Sequence, residues 1–83
     1  MNQQYKLSPN PNSGNLTVMQ MIPDDEPVKV EIWNAVGMSV YKTSLQFNNG
    51  TAQMKLGSVA PGIYLMQLND TKGNRFIFKF VVE

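Results

Sequence analysis

The sequence predicts an all-β fold, a sandwich of two sheets made of about seven short antiparallel strands. Stretches of β-branched, aromatic and long apolar residues recur at nearly even spacing, and turn-forming residues separate them. Residues 28–33 alternate strictly between apolar and polar side chains, which is typical of a half-buried strand. Helical periodicity is nowhere longer than one turn. The apolar spacing does not distinguish an immunoglobulin-like strand order from a jelly roll.

Length and composition exclude several classes of function. A chain of 83 residues is one domain with a single core. It has no cysteine and no histidine, which removes disulfides, thiolate ligands, the commonest metal ligand and the usual general base. The net charge is +1 and the basic residues are scattered, so we expect no nucleic-acid partner. No apolar segment reaches the roughly 20 residues that span a bilayer, and residues 1–4 do not resemble a signal peptide.

The predicted strands follow one another with short connections. The strands lie at residues 5–7, 16–19 or 16–22, 28–33, 39–43, 52–56, 63–68 and 75–83. The connections are rich in Gly, Pro, Asn and Asp, and lie at residues 8–15, 23–27, 34–37, 47–51, 57–62 and 70–74. We expect residues 1–6 to be a linker remnant or frayed tail and residues 7–83 to form the domain.

Two local patterns predict how strands meet. The Asn-Gly pair at 49–50 is typical of a type I′ hairpin turn, so we expect the fifth strand to return beside the fourth. The sixth strand follows the turn residues Pro61 and Gly62 and carries apolar residues on both sides, among them Tyr64 and Leu65. Such a strand requires cover on both sides, so we expect it to be the buried centre around which the chain is organised.

Four stretches together carry a resemblance to a known family. They are residues 8–18 (SPNPNSGNLTV), 30–40 (VEIWNAVGMSV), 56–68 (LGSVAPGIYLMQL) and 79–82 (KFVV). Each stretch alone is unspecific, but the four in this order over one domain length are specific. From about residue 7 to residue 83, the chain resembles the type A C-terminal sorting domain of the type IX (Por) secretion system of Bacteroidetes.

The resemblance assigns sorting-motif positions to this chain. They are Pro9, Asn10, Pro11, Gly14, Gly37, Val40, Pro61, Gly62, Tyr64, Lys79, Phe80, Val81 and Val82. The final residue, Glu83, departs from the pattern, because many relatives end in a basic or small polar residue. The departure argues against a terminal positive charge as the feature that is recognised.

The resemblance also implies a fold and a function. It implies an immunoglobulin-like sandwich with no catalytic activity and no cofactor, at the C-terminus of an exported cargo protein. The implied partners are the outer-membrane type IX translocon and a sortase-like protease that removes the domain. The cargo would cross the periplasm and reach the cell surface or the medium. Strand edges add the prediction of a weak homodimer.

An alternative function is a β-sandwich adhesion or carbohydrate-binding module appended to a secreted enzyme. Such a module would bind its ligand through exposed aromatic residues such as Trp33 or Tyr41.

Several motif positions have both a structural and a functional interpretation. Residues 9–11 are either a recognition element or a stiff loop that sets the entry angle of the second strand. Gly62 and Tyr64 either belong to a recognition surface or form a tyrosine corner, in which the phenol hydrogen-bonds to upstream backbone. The last strand is either an edge strand that pairs with a strand of a partner, or a central strand covered on both sides.

Other side chains favour structural roles. The acidic residues 24–26 lack the alternate spacing of a calcium loop, so we interpret them as a solvated loop. Four methionines lie in or next to predicted strands, and we expect them to fill the core rather than form a binding surface. They are Met19, Met21, Met54 and Met66. Without histidine, no arrangement of nucleophile, base and orienting group can be argued, so we expect no enzyme.

Overall fold

The computed structural model confirms the all-β class and describes residues 5–8, 14–21, 26–57 and 59–83. The described residues form seven strands, β1 (Tyr5–Ser8), β2 (Asn15–Gln20), β3 (Val28–Asn34), β4 (Ser39–Leu45), β5 (Thr51–Lys55), β6 (Gly62–Asn69) and β7 (Arg75–Val82). Each predicted strand is present, and its bounds differ from the prediction by two residues at most. In this part of the chain, no helix is long and apolar enough to cross a membrane.

The strands form two antiparallel sheets that pack as a sandwich. The three-stranded sheet has the order β1-β2-β5, and the four-stranded sheet has the order β4-β3-β6-β7. A β-bulge interrupts the pairing of β3 with β4, because Ile32 lies opposite Tyr41 whereas Trp33 lies opposite Ser39. Val40 is therefore the extra residue of the bulge.

The core lies between the sheets and is built from alternate residues of each strand, because successive side chains of a strand point to opposite sides. The largest fully buried side chains are Phe80, Ile32, Met66, Leu68, Val18 and Val28. On β7, Phe80 and Val82 are buried and Phe76 and Phe78 pack against the core, so these four residues line one side of the strand. The ring of Tyr5 is buried and lies 5.0 Å from that of Phe76, centroid to centroid, which ties β1 into the core.

The connection from β4 to β5 corrects one prediction. Asn49 and Gly50 have positive φ angles of 54° and 80°, as a type I′ turn requires. Nevertheless β5 pairs with β2 in the other sheet and not with β4. Leu45 and Phe47 before the turn are both buried, and the chain passes from the four-stranded to the three-stranded sheet before β5 begins. The turn residues determine the local bend, but the burial of Leu45 and Phe47 determines which strand β5 pairs with.

The methionine prediction is half right. Met54 and Met66 are buried in the core. Met19 and Met21 are 41% and 57% exposed, so they do not fill the core. The reason for Met19 is alternation, because its neighbour Val18 takes the inward position on β2.

The acidic stretch 24–26 lies mostly outside the described residues. Only Glu26 is within them, and its carboxylate accepts a hydrogen bond of 2.7 Å from the Thr71 hydroxyl. Among the described residues, no group of three or more potential ligand side chains could hold a metal ion.

Asp70 closes the hairpin between β6 and β7. Its carboxylate accepts hydrogen bonds from the backbone N–H groups of Lys72 (2.9 Å) and Asn74 (2.8 Å) and from the Asn74 side chain (2.9 Å). Burial favours the neutral acid, but the hydrogen bonds from Asn74 and Lys72 and the charge of Lys72 outweigh it. They hold the pKa of Asp70 below its ordinary value of 3.8.

Replacing Asp70 with Asn is expected to lower the melting temperature at pH 7 but not at low pH. A carboxyl group whose pKa is lower in the folded than in the unfolded state stabilises the fold above its unfolded pKa. That contribution is lost as the pH falls through the folded pKa. Thermal unfolding followed by circular dichroism from pH 7 to about pH 2 should therefore show the difference shrinking below about pH 4. The neutral surface variant Gln53→Ala is the control, and a difference for Asp70→Asn that is constant with pH would contradict the prediction.

Candidate recognition site

The end of the sandwich at which β6 begins gathers most of the motif residues. In the four-stranded sheet, the start of β6 lies opposite the ends of β3 and β7, with Gly62 facing Val82. In the three-stranded sheet, the start of β2 lies opposite the end of β5. Residues 56–61 join β5 directly to β6, so these strand ends lie at one end of the domain. We call it the motif end and define it as residues 14–15, 34–40, 55–57, 59–62 and 79–82.

The motif residues that the structure describes fall into two groups by burial. Those in the interior are Gly14, Tyr64, Phe80 and Val82, and Val81 is half-buried. Those on the surface are Gly37, Val40, Pro61, Gly62 and Lys79. Pro9, Asn10 and Pro11 lie outside the residues that the structure describes. The interior group supports the fold, so a partner can reach only the surface group and Val81. A role of these positions in sorting stays a prediction.

Tyr64 holds the segment that enters β6. Its hydroxyl donates a hydrogen bond to the carbonyl oxygen of Ala60, four residues upstream. Its ring is buried and stacks on that of Phe80, with 5.7 Å between the centroids. This is the geometry of a tyrosine corner, which the sequence predicted as one of two interpretations. The contacts of Tyr64 are therefore structural: they stabilise the fold.

Two glycines shape the motif end through positive φ angles. Gly37 (φ +86°) lies in the β3–β4 turn, where the side-chain oxygen of Asn34 accepts hydrogen bonds from the backbone N–H groups of Val36 and Met38. Gly14 (φ +105°) precedes β2, and a Cβ atom there would lie 3.2 Å from the carbonyl oxygen of Gly57. Both positions therefore favour glycine for reasons of backbone geometry.

The outward side of β6 corrects the prediction of a strand covered on both sides. Ile63 and Leu65 are 48% and 42% exposed, whereas Tyr64 and Met66 between and beside them are buried. A two-sheet sandwich has one interior, and each antiparallel sheet turns its other side to solvent. The apolar residues on this side are thus not explained by the core.

We call this side of the four-stranded sheet the outer face. Its members alternate with the core residues of β3, β4, β6 and β7. They are Lys29, Glu31, Trp33, Val40, Lys42, Ser44, Ile63, Leu65, Gln67, Asn69, Arg75, Ile77, Lys79 and Val81.

β7 lies at the margin of the four-stranded sheet as the described residues form it. The interpretation as a central strand covered on both sides is wrong, since Ile77 on its outward side is 59% exposed. Lys79 and Val81, on the outward side of β7, each have a further interaction partner.

The two aromatic residues named for carbohydrate binding do not share a surface. Trp33 lies on the outer face and is half-buried. Tyr41 packs against the core from the inward side of β4. The structure therefore does not bring these two rings together as a stacking platform.

Comparison with known proteins agrees with this architecture. The family described as secretion system C-terminal sorting domain matches residues 6–83. The chain is 30% identical over 79 residues to an endo-acting ulvan lyase of Formosa agariphila, covering 94% of this chain but only 14% of the length of the lyase. It superposes with a TM-score of 0.75 on a DUF3244 family protein from Bacteroides vulgatus that has an immunoglobulin-like β-sandwich fold. The sequence identity is 16%, and the match covers 96% of this chain and 84% of that one. The immunoglobulin-like class implied by the resemblance is confirmed.

Removal of the Tyr64 hydroxyl is expected to cost less than removal of the ring. Tyr64→Phe loses one hydrogen bond and should lower the free energy of unfolding by about 1 kcal/mol. Tyr64→Ala also empties the space beside Phe80 and should cost about 3–5 kcal/mol. Urea unfolding measures both. Tyr41→Phe is the control, because the Tyr41 hydroxyl makes no hydrogen bond among the described residues; equal stability of all these variants and the unmodified chain would contradict the prediction.

A methyl group at Gly14 is expected to destabilise the fold more than one at Gly57. Both glycines have positive φ, which costs about 1–2 kcal/mol for an alanine. At Gly14 the added Cβ also meets a backbone oxygen at 3.2 Å, whereas nothing lies within 4 Å at Gly57 (φ +72°). The unfolding free energies of Gly14→Ala and Gly57→Ala provide the test, and a larger loss at Gly57 would refute it.

Proposed function

Because the chain belongs to the family of C-terminal sorting domains of the type IX secretion system, we propose that it directs an attached cargo protein through the outer-membrane translocon. A sortase-like protease then removes it at the cell surface. The observation that carries the proposal is the family match over residues 6–83, nearly the whole chain. The domain itself has no catalytic role in this proposal.

The relationship to the lyase supports a cargo-bound domain. The chain spans 14% of the length of that enzyme, so the remainder of the lyase is a much larger unit. By analogy, we infer that this domain follows a cargo that passes through the periplasm to the surface or the medium.

The direction of the chain through the sandwich suits this function. Tyr5, at the start of β1, lies opposite Gln20 at the end of β2, so β1 begins at the end of the sandwich far from the motif end. A cargo joined upstream of β1 leaves the molecule on that side. The motif end then faces away from the cargo and is open to a partner.

A reporter fusion tests the proposed function. A reporter that carries an N-terminal Sec signal and ends in this domain is expected to reach the medium or surface of a Bacteroidetes host. The same reporter without the domain should stay in the periplasm, and so should the complete fusion in a host that lacks the translocon. Fractionation followed by reporter assay measures the exported share. Export of the fusion in the host without the translocon would contradict the proposal.

Truncation of β7 gives a second test. Deletion of residues 79–83 removes the buried side chains Phe80 and Val82, so we expect the fold and the export to be lost together. Fractionation and limited proteolysis of the truncated fusion measure the two losses. Secretion of the truncated fusion at the normal level would show that an intact sandwich is not required.

A further inference from the structure

The outer face carries an apolar cluster beside the motif end, made of Trp33, Val40, Ile63 and Leu65. Leu65 lies between Trp33 on β3 and Lys79 on β7, and Val40 precedes Tyr41 in the bulge, next to Ser39, the partner of Trp33. Val40, Ile63 and Leu65 are each more than 40% exposed. Single exposed apolar residues need no explanation, but neighbours on adjacent strands form a continuous patch. Patches of this kind mark interaction surfaces.

The patch continues around the motif end. A groove between the β3–β4 turn and the start of β6 is lined by Val36, Pro61 and Ile63, among other residues. Val36 and Met38 at the tip of the turn are strongly exposed. Ile63 belongs to both the groove and the apolar cluster, so one apolar surface extends from the outer face onto the turn.

The other sheet shows no comparable surface. In the three strands of that sheet, all of which are described, the one large exposed apolar side chain is Met19, and Met21 follows just after the end of β2. Exposed apolar side chains are therefore not a general property of this small domain but are concentrated on the four-stranded sheet.

The outer face carries an excess of positive charge. Lys79 lies opposite Leu65 of the apolar cluster, whereas Lys29 and Arg75 lie beside Asn69 at the other end of the face. The cations of the outer face are Lys29, Lys42, Arg75 and Lys79. The four strands of this face are described throughout, and Glu31 is its one acidic residue. The Glu31 carboxylate lies 3.7 Å from the ammonium group of Lys42. Four positive charges against one negative charge leave this face at +3, in a chain whose net charge is +1. The acids lie mainly in the connections.

We propose that the outer face docks onto a protein surface of the secretion machinery that is apolar where it meets the cluster and acidic where it meets the cations of the face. This inference rests on the proposed function and names the side of the domain that is recognised. Burial of the cluster would supply affinity, and the cations of the outer face would set orientation and association rate.

The positive charge of the outer face favours an acidic protein partner over a second copy of the chain. Two outer faces brought together would each present three excess positive charges, and like charges across an interface are unfavourable. A partner with carboxylates beside an apolar patch pairs with the same cations. The surface is also accessible in the precursor, because the chain enters β1 in the other sheet and at the opposite end.

A matched pair of variants tests the apolar part. Leu65 and Met19 are 42% and 41% exposed, on the outward sides of the two sheets. In the reporter fusion, we expect Leu65→Asn to lower the exported fraction about tenfold. Met19→Asn should leave it within about twofold, since the proposed contact does not include it. Thermal unfolding of both variants checks that they are folded. Normal export of a folded Leu65→Asn fusion would overturn the inference while leaving the sorting function intact.

A second pair tests the charge. Lys29 and Arg75 lie on either side of Asn69 across the outer face. Replacing both with Glu in one variant is expected to lower export in the same way. Lys6 and Lys55 lie on the other sheet, and their reversal is the control. Equal effects of the two double variants would overturn the inference.

Two further measurements test whether a second copy of the chain or a lipid surface occupies the outer face instead. Light scattering of the 83-residue chain is expected to show no dimer that depends on Leu65. Cosedimentation with vesicles of anionic phospholipid is expected to show no binding that depends on Leu65. A dimer abolished by Leu65→Asn would assign the face to a second copy. Vesicle binding abolished by Leu65→Asn would assign it to a lipid surface. Either result would replace the proposed protein partner.

Discussion

β6 pairs with β3 on one side and with β7 on the other along nearly its whole length. Its inward residues Tyr64, Met66 and Leu68 are buried, and the Tyr64 hydroxyl fixes the backbone that arrives from the other sheet. The same strand therefore sets the register of the four-stranded sheet, fills much of its interior and anchors the crossing between sheets. With no disulfide in the chain, the domain depends on this packing for its stability.

The inward side of β6 stabilises the fold, and the outward side belongs to the surface that we propose a partner recognises. Alternation sends Tyr64 and Met66 into the core and Ile63 and Leu65 to the surface, so neighbouring positions in the sequence meet different demands. A sorting signal built in this way has to fold before its surface exists, because the outer face combines residues from four strands. In the proposed function, a partner recognises that assembled surface rather than a linear segment.

Much of the fold was predictable because its signals are local. Alternation at 28–33 identified β3, and turn residues placed the ends of the other strands to within two positions. The Gly-x-Tyr pattern at 62–64 predicted a tyrosine corner, since the hydrogen bond spans only four residues. The positive φ of Gly37 was likewise predictable from its turn. Each of these features is decided by side chains close in sequence.

The sequence by itself determined the all-β class, the strand positions, the turn chemistry and the family resemblance. The tertiary structure alone decided that β5 joins β2 across the sandwich, that Ile63 and Leu65 face outward, and that Met19 stays at the surface. An apolar residue on a strand shows the same pattern whether a second sheet, a partner or solvent lies against it. The pairing partner and the covered side depend on contacts between residues far apart in the chain, and periodicity along one strand does not contain that information.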